Sequence, residues 1–279
     1  MNYKILFNPK SNRGKTDKNI KKLQNKLLKE GHNVEVSSLL DIKSADDYIK
    51  SINEDDKIII FGGDGTLHYL ANELMGHKYK QEIFVASKAG TGNDFVRSLR
   101  QKTFLIKIND YINDLPYVSE KDNKRYFINS VGFGLDALVC KYVADKKSKT
   151  EGSYFKSTLK AIKSYNSFEL TTTIDGVSKT FPKTWFAVVC NSKYFGGGMK
   201  ISPKSIRLDD KLEVVVINRV PRWLILLIFP TIYLGLHKIF KRWVHFYQGS
   251  EISFQADKDL FVEFDGELAE PKSLLTIKR

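Results

Sequence analysis

Three short polar stretches of this 279-residue chain combine glycine, small hydroxyls and a carboxylate in the way that phosphate binding requires. Asn8-Pro9-Lys10-Ser11-Asn12 follows an apolar run over residues 3–7. Gly62-Gly63-Asp64-Gly65-Thr66 follows Lys57–Phe61, and Gly90-Thr91-Gly92-Asn93-Asp94 follows residues 83–86. Each lies between a strand-like run and a polar or helical segment. Backbone N–H groups and the positive end of a helix dipole meet at such a point, which suits a phosphate. Glycine lets the backbone approach phosphate oxygens closely, and Asp64 can orient a metal–water shell or a hydroxyl. A single loop of this kind reads equally well as a tight turn. Three loops at the carboxyl ends of parallel strands gather at one sheet edge, where open α/β sheets bind ligands.

The elements that must position these loops follow from periodicity. Residues 3–7, 34–40, Lys57–Phe61 and 83–86 read as strands, the third a continuous β-branched run suited to burial on both faces. Between them, Ile20, Leu23 and Leu27 mark one helix, residues 44–52 a second and residues 66–75 a third. This alternation predicts parallel pairing in an α/β layer over residues 1–124. The pattern changes near Lys121–Lys124. Residues 126–130, 169–174, 184–190, 211–217, 251–255, 260–264 and 274–277 read as short strands with Asp175-Gly176 and Asp265-Gly266 as hairpin turns, which predicts a β-sandwich over residues 125–279. Residues 154–165 and 222–247 interrupt it as helical segments, the first basic through Lys156, Lys160 and Lys163.

Charge and composition narrow the partners. Lys and Arg number 45 against 32 Asp and Glu, a net +13. Residues 1–124 hold 21 basic and 17 acidic side chains, and residues 125–279 hold 24 and 15, so the second half carries the excess. Such a field favours anionic surfaces. No recognised nucleic-acid module accompanies it, so nucleic acid is not an expected partner. Two cysteines, Cys140 and Cys190, are too few for a secreted disulfide scaffold and fit a reducing compartment. The greasy run over residues 223–236 is shorter than the roughly 20 residues a membrane span needs. With Lys238, Lys241, Arg242 and Trp243 behind it, the run has the composition of an interfacial element or of a core helix. The expectation is a cytoplasmic protein that associates peripherally with anionic phospholipid headgroups, with room for a homodimer.

The GGDGT string at Gly62–Thr66, the following Gly90-Thr91-Gly92-Asn93-Asp94-Phe95 and the opening Asn8-Pro9-Lys10-Ser11 together resemble the diacylglycerol kinase catalytic-domain family of lipid kinases. The likeness extends to Tyr126-Phe127-Ile128-Asn129, Val131-Gly132-Phe133-Gly134, Gly197–Pro203, Leu208–Leu212 and Phe264-Asp265-Gly266-Glu267, and so covers nearly the whole chain. It implies a Rossmann-like N-terminal α/β domain, a C-terminal β-sandwich and an active site in the cleft between them. The reaction implied is transfer of the ATP γ-phosphoryl group to a lipid hydroxyl, with diacylglycerol as the leading acceptor. A sphingoid base, a soluble acceptor as in NAD kinases, or a non-catalytic binding role are the alternatives.

By that resemblance, Asn8, Pro9, Lys10, Ser11, Asn12, Gly62, Gly63, Asp64, Gly65, Thr66 and Thr91 hold the nucleotide. Asp64 and Asp94 face the Mg²⁺ shell, and Glu267 takes the proton of the acceptor hydroxyl. A structural Mg²⁺ is implied at the Asp210 side chain with the carbonyls of Arg207 and Leu212. The chain departs from the family pattern at Asn12, at His68 and at Lys211. It also lacks the strand aspartate expected within Tyr117–Glu120. His68 is expected to be a surface or hydrogen-bonding residue.

Overall fold

The computed structural model describes the chain apart from residues 12–15, 77–78, 88–89, 91, 121–122 and 145–158. Its compact units are Met1–Leu115 and Pro116–Arg279. The division falls earlier than the 124/125 boundary expected from composition. The reason is hydrogen bonding: β6 (Tyr117–Glu120) and β7 (Asn123–Tyr126) pair with each other, and β6 pairs with a strand near the end of the chain, so both belong to the second sheet.

In the first unit a five-stranded sheet has the order β2-β1-β3-β4-β5, from β1 (Asn2–Phe7), β2 (Asn33–Ser38), β3 (Lys57–Phe61), β4 (Glu82–Ala86) and β5 (Leu105–Lys107). The first four strands are parallel and β5 is an antiparallel edge. Helices α1 (Thr16–Lys29), α2 (Ala45–Ser51), α3 (Asp64–Leu74), α4 (Asp94–Leu99) and the single turn α5 (Asn109–Ile112) connect them. Central β3 buries Ile58 to Phe61, and α1 sets Ile20, Leu23 and Leu27 against Ile5, Ile59 and Phe61. Each such side chain removed from water contributes roughly 1.5–3 kcal/mol, which fixes the sheet that carries the loops.

The second unit is one hydrogen-bonded system that folds back on itself. Its strands after β7 are β8 (Ser130–Gly134), β9 (Phe168–Ile174), β10 (Val177–Cys190), β11 (Leu212–Asn218), β12 (Val244–Gly249), β13 (Glu251–Phe264) and β14 (Glu267–Lys278). The runs over 251–255 and 260–264 form one strand, β13. Likewise β10 is a single strand that begins at Val177. Both are long enough to turn a corner: β10 shifts register between Phe181 and Thr184, and β13 between Gln255 and Leu260. Each pairs with β9 through its first half and with β8 through its second. This bending gives the sandwich-like closure. The expected strand over 126–130 is instead a break between β7 and β8.

Helix α6 (Leu135–Ala144) follows β8, and residues 159–164 are helical. The rest of the basic 154–165 segment, with Lys156, lies outside the described residues. The continuous helix expected over 222–247 is α7 (Arg222–Leu234), a short 3₁₀ turn (His237–Ile239) and β12. Gly235, in the left-handed region at φ 70°, ends α7. Among the described residues no helix is long and apolar enough to cross a membrane.

Candidate functional site

Parallel pairing of β1, β3 and β4 brings the three polar loops to one edge of the first sheet. The first loop winds around Asn8. Its N–H donates to the Phe61 carbonyl at 3.1 Å, and its Oδ1 accepts the Lys10 N–H at 3.0 Å. The Asn8 amide also donates to Thr66 Oγ1 at 3.0 Å, which fastens the first loop to the second. Lys10 is exposed beside this junction. Helix α3 starts at Asp64 behind Gly63, and no side chain caps it, so its first turn keeps the N–H groups and positive dipole end that attract an anion.

Glycine is required where the second and third loops pass. A Cβ on Gly90 would stand 2.5 Å from Gly63 Cα and 2.6 Å from Asn93 Oδ1. Asn93, in the left-handed region at φ 53°, holds the third loop by accepting from the Gly90 N–H at 2.9 Å and donating to its carbonyl at 2.7 Å. Asp64 makes the tie between loops. Its two carboxylate oxygens accept the N–H groups of Asp94 (3.0 Å) and Phe95 (2.8 Å), so it caps α4. Asp94 itself is buried and pairs with Arg97 at 3.2 Å. Asp64 thus builds the platform that carries the start of α4. His68 is buried on α3 and not on the surface. Asn12 and Thr91 lie outside the described residues.

In the second unit the Asp265-Gly266 turn joins β13 to β14, with φ 50° and 89°, as a primed hairpin turn demands. The Asp265 carboxylate does more than turn the chain. Oδ2 accepts the N–H of Ile128 at 2.7 Å, and Oδ1 accepts those of Asn129 at 2.6 Å and Ser130 at 3.0 Å. Arg207, buried, donates to the Ile128 carbonyl and to Asn129 Oδ1. Buried Asn191 donates to the same carbonyl at 3.2 Å, and buried Glu263 accepts the Gly266 N–H. Glu267 is therefore the exposed first residue of β14 beyond a turn clamped from below. Family likeness singled out Asn129 within a motif and Arg207 only through its carbonyl, and nothing singled out Asn191; the meeting of their side chains was not legible in the sequence.

The loop expected to hold a structural cation has a cation of its own. Arg279 donates to the carbonyl of Arg207 at 3.1 Å and to that of Asp209 at 2.8 Å, while Asp210 is exposed and Leu212 is buried at the start of β11. A divalent ion on the Arg207 carbonyl would meet this guanidinium at close range. The loop does not fit Mg²⁺ there unless Arg279 moves aside. Among the described residues no group of three or more His, Cys, Asp or Glu side chains converges on one point.

Comparison with known families matches residues 2–115 to the diacylglycerol kinase catalytic domain. Residues 129–276 match the YegS C-terminal NAD kinase beta sandwich-like domain. The chain belongs to the diacylglycerol kinase family. Among curated relatives, "Putative lipid kinase YtlR" of Bacillus subtilis is 27% identical over 248 residues, covering 80% of each chain. "Putative lipid kinase SH2167" of Staphylococcus haemolyticus is 27% identical over 227 residues, 77% of this chain and 70% of the relative. A solved structure described as a putative diacylglycerol kinase from Bacillus anthracis superposes with a TM-score of 0.70 at 21% identity, covering 99% of this chain and 93% of that one. At that identity the superposition speaks for the fold. Membership in the diacylglycerol kinase family implies a lipid-kinase activity with ATP as donor and a divalent metal beside it. The uncapped α3 turn, the glycine passage and Lys10 fit the triphosphate. Asp64 fits a hydrated ion through water, since its direct bonds are spent on α4.

Proposed function

We propose that this diacylglycerol kinase family member transfers the γ-phosphoryl group of ATP to the hydroxyl of diacylglycerol, forming phosphatidic acid on the cytoplasmic side of a membrane. The observation that carries the reading is the packing of the two glycine loops, Gly63 against Gly90, beside the uncapped start of α3. Phosphoryl transfer rests on positioning and charge stabilisation, and a backbone cradle of this kind supplies both. Lys10 adds an exposed positive charge, and Asp64 keeps α4 and the third loop in place. Mg²⁺, held by the nucleotide phosphates and by water on Asp64, would spread charge over the transferred group. Glu267, exposed on a rigid turn, is the proposed acceptor of the hydroxyl proton. General-base catalysis of this kind contributes about 10²–10⁴-fold.

The test is transfer from labelled ATP to a panel of diacylglycerol, a sphingoid base and a soluble polyol. Diacylglycerol should be labelled, with turnover lost in Glu267→Gln and Asp64→Ala. Full turnover in both variants would reject the site, and labelling of only the sphingoid base would reject the acceptor.

A further inference from the structure

Helix α7 is apolar on all sides, yet only one side is buried. Leu224, Ile225, Ile228 and Ile232 face the interior of the second unit. The opposite stripe stands in solvent: Trp223 is 66% exposed, Leu227 59% and Leu234 70%, and Ile239 in the following turn is 64%. A helix that is apolar all round is ordinarily covered on every side. Seven of the 18 large apolar side chains exposed among the described residues fall between Trp223 and Ile239, a concentration that marks a contact surface.

The charge of the segment says what the contact is. Between Glu213 and Glu251 the chain has no carboxylate, but it has Arg219, Arg222, Lys238, Lys241 and Arg242. The last three are exposed directly beyond the apolar stripe. Trp and Leu above a cluster of cations is the composition of an element that lies in the headgroup layer of an anionic membrane. Among the described residues the inner side of α7 closes an apolar cavity. The apolar cavity behind it, lined by Trp185, Phe186, Met199, Ile225 and Ile228, measures about 60 Å³, far below the roughly 300–1,000 Å³ of ordinary ligand pockets.

We propose that the outer face of α7, together with Lys238, Lys241 and Arg242, is a membrane-docking surface that seats the second unit on a bilayer rich in anionic headgroups. The inference deepens the lipid-kinase reading by naming the surface on which the enzyme meets its substrate. Binding is measured without ATP, so the failure of one reading is distinguishable from the failure of the other.

The experiment is sedimentation of the whole protein with vesicles of phosphatidylcholine alone or mixed equally with phosphatidylglycerol, paired with tryptophan emission. The wild type should bind the mixed vesicles far more tightly, with a blue shift that Trp223→Phe removes. Loss of apolar insertion in Leu227→Glu/Leu234→Glu should weaken binding at least 30-fold. Lys238→Gln/Lys241→Gln/Arg242→Gln should weaken it roughly 100-fold, at about five-fold for each cation near an anionic surface. Both variants should keep the wild-type melting temperature, because every substituted side chain is exposed, and should still phosphorylate a short-chain diacylglycerol in solution. Equal binding to both vesicle types, or wild-type binding by both multiple variants, overturns the proposal. So does a solution dimer that Leu227→Glu/Leu234→Glu dissociates while vesicle binding is absent, since the face then belongs to a second copy.

Discussion

Replacing Asp265 by Asn separates the charge of the hairpin turn from its shape. Asparagine tolerates the left-handed backbone at φ 50°, so the turn itself is not strained. The carboxylate now receives three N–H bonds, one on Oδ2 and two on Oδ1. An amide oxygen accepts at most two, and the amide nitrogen would face the third donor. In the better orientation Asn129 and Ser130 keep an acceptor, and the fully buried N–H of Ile128 faces an NH₂ group. Losing one bond to a charged acceptor costs about 1.5–3 kcal/mol, and the two remaining bonds each weaken by about half. The half-buried position of Asp265 draws the sum to its lower end, about 3 kcal/mol. For a unit of this size that is a fall of roughly 6–12 °C in Tm.

The assay is urea unfolding followed by tryptophan fluorescence. Trp185, Trp223 and Trp243 all lie in the second unit, so the signal reports that unit alone. Asp265→Ala, which leaves all three donors without this acceptor, should lose more than Asp265→Asn. A change below about 1 kcal/mol for Asn, or an Ala variant no worse than Asn, would refute the accounting of buried donors.

Three further outcomes follow from named contacts. Gly90→Ala forces the second and third loops apart and should cost about 1–3 kcal/mol with a clear loss of ATP affinity, read by denaturant unfolding and by nucleotide titration. Burial holds the His237 ring below its ordinary pKa; its Nε2–H donates to the Ile201 carbonyl at 2.8 Å, and buried Nδ1 has no acceptor for a second proton. The unfolded chain therefore binds that proton first. Stability of the second unit should be intact above pH 6.5 and fall as pH drops below it, and His237→Gln should flatten this slope in tryptophan-monitored unfolding. Arg279→Ala frees the carbonyls of Arg207 and Asp209, so added Mg²⁺ should raise the melting temperature of the variant and leave that of the wild type unchanged.

Much of this molecule was legible in one dimension because its signals are local. The loops at Asn8, Gly62 and Gly90 declare themselves through glycine and short polar side chains between periodic segments. Lys57–Phe61 is a buried strand because five consecutive residues say so. The Asp265-Gly266 turn needs only two. What the chain order could not express is which distant group each carboxylate meets. Asp265 binds N–H groups 135–137 residues away, and Asp64 spends its oxygens on a helix 30 residues later. Arg279 reaches the Arg207 carbonyl, which sequence likeness reserved for an ion. The same holds for the apolar run at α7. Its composition admitted both a core helix and an interfacial one, and packing decided that one side is buried in the second unit while the other is exposed. Local structure depends on neighbouring residues and can be read from their types; hydrogen-bond partners and exposed faces are set by which surfaces the folded chain brings together.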